Sequence, residues 1–211
     1  MMALESNRDG DGANRTYPES LAGYFLISEL EMADPNFYRS VVLMITHNHN
    51  GAFGLVVNRR SDATLADILP EYEGPRGRET PVYVGGPVQQ EYLFMVHSDL
   101  PDGAPSPQSL SPAPGIIFEP SFEHAKLLFD EEKWSRIPPD DRPKIHLYLG
   151  YSGWSPGQLE WELEQGAWMI HPAKPRIVFH PRPDEGWKDA LREKGGLYKV
   201  FADTDQNPSL N

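Results

Sequence analysis

Eighteen glycines and 21 prolines punctuate the 211 residues of this chain, and they restrict it to short elements. Proline removes a backbone donor and ends helices and central strands, while glycine marks turns, bulges and caps. Between these breaks lie apolar runs of strand length. Leu21–Ser28 (LAGYFLIS) and Ser40–Thr46 (SVVLMIT) are separated by the turn-rich ADPNFYR, and Gly51–Asn58 (GAFGLVVN) follows, entered through glycines. Thr64–Leu69 (TLADIL) reads as a short helix, with Thr64 as N-cap and Asp67 as its capping-box partner. Pro81–Val84 and Glu91–His97 read as two further strands around GGPVQQ.

The second half of the chain is more mixed. Asp99–Gly115 carries five prolines and reads as a surface loop, with strand signals resuming at GIIFEP. Ser121–Phe129 and Asp130–Ile137 suggest helix, and PPDDRP then breaks the chain. Lys144–Gly150 alternates, placing Ile145, Leu147 and Leu149 on one face and His146 and Tyr148 on the other. Arg176–His180 reads as a last strand, and Asp184–Lys194 as a helix capped by Asp184 and ended by Gly195. This order lacks the regular β-α-β alternation of a doubly wound sheet. It predicts an α+β fold: a single compact domain over residues 17–211, with a large mixed β-sheet flanked by a few short helices. Residues 1–16 are expected to form a disordered N-terminal tail.

Composition narrows the function classes. The 19 basic and 31 acidic side chains leave a net charge of −12, which repels polyanions, so direct nucleic-acid binding is not expected. Zero cysteines exclude disulfides, thiolate zinc sites and a cysteine nucleophile. The first residues, MMALESNRDGDGANRT, lack the apolar segment of a signal peptide, and no window reaches the roughly 18 apolar residues of a membrane helix. The expectation is a cytoplasmic protein with no membrane contact.

The most distinctive stretch is LGYSGWSPGQLEWELEQGAW, residues 149–168. Ser155 at N-cap, Pro156 at N1 and Gln158 at N3 predict a capped helix after a GYSGW turn, with Gly166 at its C-terminus. A hydrolase reading would make Ser152 the nucleophile. However, Gly150, Ser152 and Gly153 miss the G-x-S-x-G elbow by one place, and no spacing identifies a base. His47 and His49 could share a metal if they lay on one strand face, but HNHNG reads as a hairpin turn and no third ligand is evident. Glycines at Gly85 and Gly86 permit close backbone approach, of a strand or of a ligand. Lys174, Arg176, His180 and Arg182, with Arg59 and Arg60 elsewhere, would form a local basic patch if they converged; solvated strand ends are the simpler reading.

Three separated segments carry a resemblance: LAGYFLISELEMADPNFYRSVVLMITHNHNGAFGLVVNRR, PVYVGGPVQQEYLFMVHS and LYLGYSGWSPGQLEWELEQGAWMI. In this order they closely resemble the bacterial YqgE/AlgH family, from about Tyr17 to the terminal NPSLN. The family's M-x-D-P-x-F-x-x-S-V pattern is met by Met32, Asp34, Pro35, Phe37, Ser40 and Val41. Its H-N-x-x-G-A-x-G-L-V-x-N pattern is met by His47, Asn48, Gly51, Ala52, Gly54, Leu55, Val56 and Asn58. Thr46 stands where the family often has an acidic residue, and Arg59-Arg60 where it often has a basic residue and proline. The resemblance implies a compact α+β domain with a large mixed sheet. It implies no assigned biochemical activity, and a link of one member to transcriptional regulation of polysaccharide production.

The function expected is therefore a non-enzymatic binding protein with a regulatory role, acting on an unknown protein or small-molecule partner. No cofactor and no metal are expected. The candidate ligand or partner site comprises His47, Asn48, Asn58, Gly85, Gly86, Tyr151, Ser152 and Trp154. Two alternatives remain: a hydrolase-like enzyme using His47, Asn48, Asn58 and Ser152, and a nucleic-acid-associated regulator using the Lys174–Arg182 region.

Overall fold

A computed structural model describes residues 17–100, 106–122, 129 and 131–204. Ten strands form one sheet: β1 (Tyr24–Ser28), β2 (Val41–Asn48), β3 (Gly51–Val56), β4 (Arg60–Thr64), β5 (Pro81–Val84), β6 (Val88–His97), β7 (Leu110–Ala113), β8 (Ile116–Glu119), β9 (Ile145–Trp154) and β10 (Trp168–Pro172). The helices are α1 (Leu65–Ile68), α2 (Pro75–Glu79), α3 (Glu131–Arg136), α4 (Gln158–Glu164), α5 (Pro175–Val178), α6 (Gly186–Lys194) and α7 (Leu197–Thr204). The strand order is β10-β1-β2-β3-β9-β6-β8-β7, with β4 paired to β5 and β5 to β9. Among the described residues only the β5–β9 pair is parallel, so the sheet is mixed and the domain α+β.

Strand β9 joins the two halves of this sheet. Along one edge its first half pairs with β5 (Val82↔Leu147, Val84↔Leu149) and its second half with β3 (Gly54↔Ser152, Ala52↔Trp154). Its other edge is covered by β6, from His97↔Ile145 to Val88↔Tyr151. The change of partner falls at Gly150, whose φ of +67° lies in the left-handed region open to glycine. The GYSGW segment is thus strand with an internal kink, not the turn its glycines suggested. Opposite it the β6 register slips between Val88 and Leu93, and residues 89–92 bulge into solvent.

The sheet curls around its main core. Phe25, Leu43, Leu55, Val96, Phe118 and Tyr148 pack there against Ile177 and Val178 of α5 and Trp187 and Leu191 of α6. The curl brings β7 back onto the chain entering β1: a Cβ on Gly23 would lie 2.1 Å from the Pro112 carbonyl oxygen. On the opposite face, Leu159 and Leu163 of α4 cover Leu26, Val42, Met44 and Val56. A third cluster, Leu65, Val82, Met95, Phe129 and Leu147, lies beneath α1.

Several local expectations are met. Thr64 caps α1, its N–H donating 2.8 Å to the Asp67 carboxylate. The β2–β3 hairpin turns at HNHN, with Asn48 opposite Gly51. Gly166 (φ +75°) ends α4 with paired bonds, Ala167 N–H to Glu162 O (3.0 Å) and Gly166 N–H to Leu163 O (3.0 Å).

Others need correction. Helix α4 begins two residues later than Ser155 predicted, with Gly157 (φ +76°) at its N-cap; only the Gln158 side chain, accepting from Ser155 N–H at 3.1 Å, retains the capping-box pattern. Arg176–His180 is not a strand. Pro175 starts the short helix α5 there, because burial of Ile177 and Val178 outweighs the strand preference of their branched side chains. The edge strand is instead β10, whose apolar run WMI was too brief to register. Part of the proline-rich loop is β7, which tolerates Pro112 because it pairs only with β8. The helix α6 starts after a 3-10 turn at Pro183–Glu185, so Glu185, not Asp184, precedes it. Residues 1–16, 101–105, 123–128, 130 and 205–211 lie outside the described part, as do the readings made on them.

The junction at Gly85 supplies a stability test. A Cβ there would lie 2.4 Å from Gly150 O and 2.9 Å from Leu55 Cδ2, whereas at Gly157 it would meet nothing within 4 Å. Gly85→Ala is expected to cost about 3 kcal/mol in denaturant unfolding, through overpacking at the junction. Gly157→Ala should cost about 1 kcal/mol, from its left-handed φ alone.

Candidate functional site

The eight residues singled out from the sequence divide among separate places. Gly85, Gly86, Tyr151 and Ser152 meet at the β5–β9–β3 junction. Gly85 N–H donates to Leu149 O at 2.8 Å, and Gly85 O accepts from Val56 N–H at 2.8 Å and from the Ser152 hydroxyl at 3.2 Å. A Cβ on Gly86 would lie 2.2 Å from Tyr151 O, so the two backbones touch. The Tyr151 ring packs on Phe53 (4.9 Å between centroids) and Phe94 (6.1 Å). Ser152 is fully buried, and its hydroxyl proton is committed to a backbone carbonyl. The junction is a packing device.

His47 sits at the far end of β2 from Asn58. Its Nδ1 accepts from Leu21 N–H at 3.0 Å, which leaves the proton on Nε2 to donate to Glu160 Oε1 at 2.9 Å. Both ring nitrogens are therefore used in joining the chain before β1 to α4. Asn48 accepts from Asn50 N–H at 2.8 Å inside the hairpin. Asn58 clamps the loop before β2, accepting from Val41 N–H (2.8 Å) and donating to Arg39 O (2.9 Å). Val41 and His47 are separated by six residues of strand, about 20 Å at the usual strand rise. His47, Asn48, Asn58 and Ser152 do not converge in one pocket, which removes the arrangement the hydrolase reading required.

Trp154 belongs to the core beneath α4. Its indole N–H donates to Glu162 at 2.9 Å, and Trp168 donates to the same oxygen at 2.7 Å. Phe37 packs against both rings, 6.2 and 5.3 Å away, and so anchors the 34–40 loop. The basic segment is likewise engaged. Lys174 and Arg176 both pair with Glu193, and His180 with Asp189 at 2.7 Å, fastening this segment along α6. Arg59 donates to Asn36 O at 2.7 Å.

Two features escaped the sequence reading. The first is a polar cluster within the main core. The His146 ring stacks on Tyr83 at 4.4 Å, and its nitrogens lie 3.4 Å from the Tyr83 and Tyr148 hydroxyls. Burial, aided by the Lys144 and Arg60 charges, lowers the His146 pKa to about 4. Burial also raises both tyrosines, so the cluster is uncharged near neutrality. The HLY spacing in β9 placed His146 and Tyr148 on one face, but nothing local showed that Tyr83 and Phe179 pack over it.

The second is an open groove of about 620 Å³, lined by residues 29–33, residues 165–167 and Phe201. It runs alongside α7, whose Leu197, Val200 and Phe201 are 75, 56 and 44% exposed. This i, i+3, i+4 spacing is legible in LYKVF, though no strand or cap signal drew attention to it. Glu29 and Glu31 stand among the lining residues. Among the described residues, no three His, Asp or Glu side chains assemble as metal ligands.

Comparison with known proteins agrees with this architecture. A family model described as AlgH-like matches residues 25–199. A UPF0301 protein of Ruegeria pomeroyi is 38% identical over 180 residues, covering 83% of this chain and 92% of the relative. One of Cytophaga hutchinsonii is 35% identical over 189 residues, covering 90% and 98%. The solution structure of the AlgH protein from Pseudomonas aeruginosa superposes with a TM-score of 0.67 at 32% identity, over 91% of this chain and 98% of that one. A crystal structure of a Corynebacterium diphtheriae protein gives 0.69 at 25% identity, over 89% and 93%.

The polar core makes a pH prediction. An unfolded histidine protonates near pH 6.5, whereas folded His146 stays neutral down to about 4. Its stabilising contribution is thus present above pH 6.5 and is lost as pH falls from 6.5 towards 4. Unfolding measured across that window should show a loss on the order of 3 kcal/mol from this residue, and His146→Phe should flatten it. At the junction, Ser152→Ala should cost about 1 kcal/mol, since Gly85 O keeps its bond from Val56.

Proposed function

The chain belongs to the AlgH-like family, and from that premise we propose that it is a non-enzymatic binding protein of the bacterial cytoplasm, acting in regulation by holding a partner or ligand. The observation that carries this reading is the use made of its most reactive-looking side chains. Ser152, His47 and Asn58 each spend their hydrogen-bonding capacity on the fold, while the acidic groove beside α7 stays open. A general base or nucleophile must reach its substrate, whereas Ser152 is fully buried and both His47 ring nitrogens already have partners, which supports the binding reading. The absence of cysteine is compatible with a reducing compartment, which supports the cytoplasmic reading. Among the described residues, no helix is long and apolar enough to cross a membrane.

The test is a thermal-shift screen of the purified chain against nucleotides, amino acids, sugar phosphates and divalent cations, alongside turnover assays on generic ester and phosphate substrates. A ligand selective for the folded state at 100 times its Kd stabilises by about 2.7 kcal/mol, a shift of several degrees. Binding without turnover is expected. Turnover that disappears in Ser152→Ala or His47→Ala, with unchanged melting, would overturn the proposal.

A further inference from the structure

We infer that the groove beside α7 docks a cationic amphipathic helix of a partner protein. This deepens, and rests on, the reading of the chain as a binding protein. Leu197, Val200 and Phe201 form one stripe on α7, while Ala202 is buried and Tyr198 packs against the main core. The inner side of α7 thus holds it to the domain, and among the described residues the outer stripe is exposed. Phe201 also lines the groove, so the stripe continues into it beside half-buried Leu30 and Met32. Gly166 also lines the groove, and an added Cβ there would meet nothing within 4 Å. An apolar stripe bordering a groove of about 620 Å³ suits a helix laid in with its apolar face down.

Charge chooses the occupant. Glu29 and Glu31 border the apolar surface, and the whole chain carries −12. A basic helix gains from both the local carboxylates and the overall field. A second copy of this chain would meet that field with like sign. So would residues 205–211, DQNPSLN, whose charged side chain is Asp205. Nucleic acid and anionic lipid are disfavoured on the same ground.

The test uses the full chain and a fluorescent 15-residue helical peptide of leucine and lysine, with a counterpart carrying glutamate for lysine, read by anisotropy at low and moderate salt. The lysine peptide should bind and the glutamate peptide should not. Phe201→Asp and Leu197→Asp should each weaken binding at least about tenfold, which is about 1.4 kcal/mol, with unchanged melting because both residues are exposed. The pair Glu29→Lys and Glu31→Lys should weaken it similarly. The pair Asp62→Lys and Glu91→Lys, equal in charge but outside the groove, should leave it within about twofold. Equal effects of the two pairs would reduce the contact to general attraction and overturn the inference. So would a dimer in sedimentation that Phe201→Asp dissociates, since the groove would then serve self-association. If the peptide fails while the thermal-shift screen yields a ligand, this inference falls and the binding-protein reading stands.

Discussion

One strand carrying two partners along a single edge is the constraint on which the rest of this structure depends. Strand β9 exchanges β5 for β3 within a few residues, and the chain leaving β5 must pass between them. Gly85 and Gly86 make that passage possible, because backbone there lies against backbone with no room for a Cβ. Gly85 N–H and O, Val56 N–H and the Ser152 hydroxyl close the hydrogen-bonding account at the crossing. From it follow the curl of the sheet, the shared core inside it, and the outer faces left for α4 and α1.

Polar side chains in this protein act chiefly as fasteners. Glu162 accepts both buried indoles, and Asn58 closes the loop before β2. At the edge of the sheet, buried Glu119 accepts from Ser109 (2.6 Å) and Ser106 (2.9 Å) and faces His97. Burial would raise the Glu119 carboxyl, but those hydroxyls and His97 hold it below its usual range. Each of these groups would cost stability if left unpaired in the interior, and each is paired. The proposed binding role is compatible with such a chain, whose inner polar groups are engaged in the fold. The groove beside α7 is where apolar surface, acidic charge and open volume coincide.

The legibility of this fold varied with how local its causes were. The strand Pro81–Val84, the Thr64–Asp67 cap, the HNHN hairpin and the Gly166 helix end were all readable, because each is decided by neighbours within a few residues. Strand β10 and helix α5 were misread because burial against distant elements decided them. The candidate site was less legible still. His47 and Ser152 stand out by residue type, but their partners, Leu21 and Glu160 for one and Gly85 for the other, are remote in sequence. Leu197, Val200 and Phe201 read as an ordinary amphipathic stripe, and nothing local tells that their outer face is exposed among the described residues.

By itself the sequence determined the short, glycine- and proline-bounded elements, the α+β class, the acidic surface and the family. These depend on local conformational preference, apolar periodicity and summed charge, all of which are written into consecutive residues. Tertiary structure alone decided that GYSGW is the strand joining two half-sheets, that His146 is neutral inside the core, and that the open face lies beside α7. Those outcomes depend on which distant backbones meet and which surfaces remain uncovered, and hydrogen bonding and burial settle that only when the whole chain is folded.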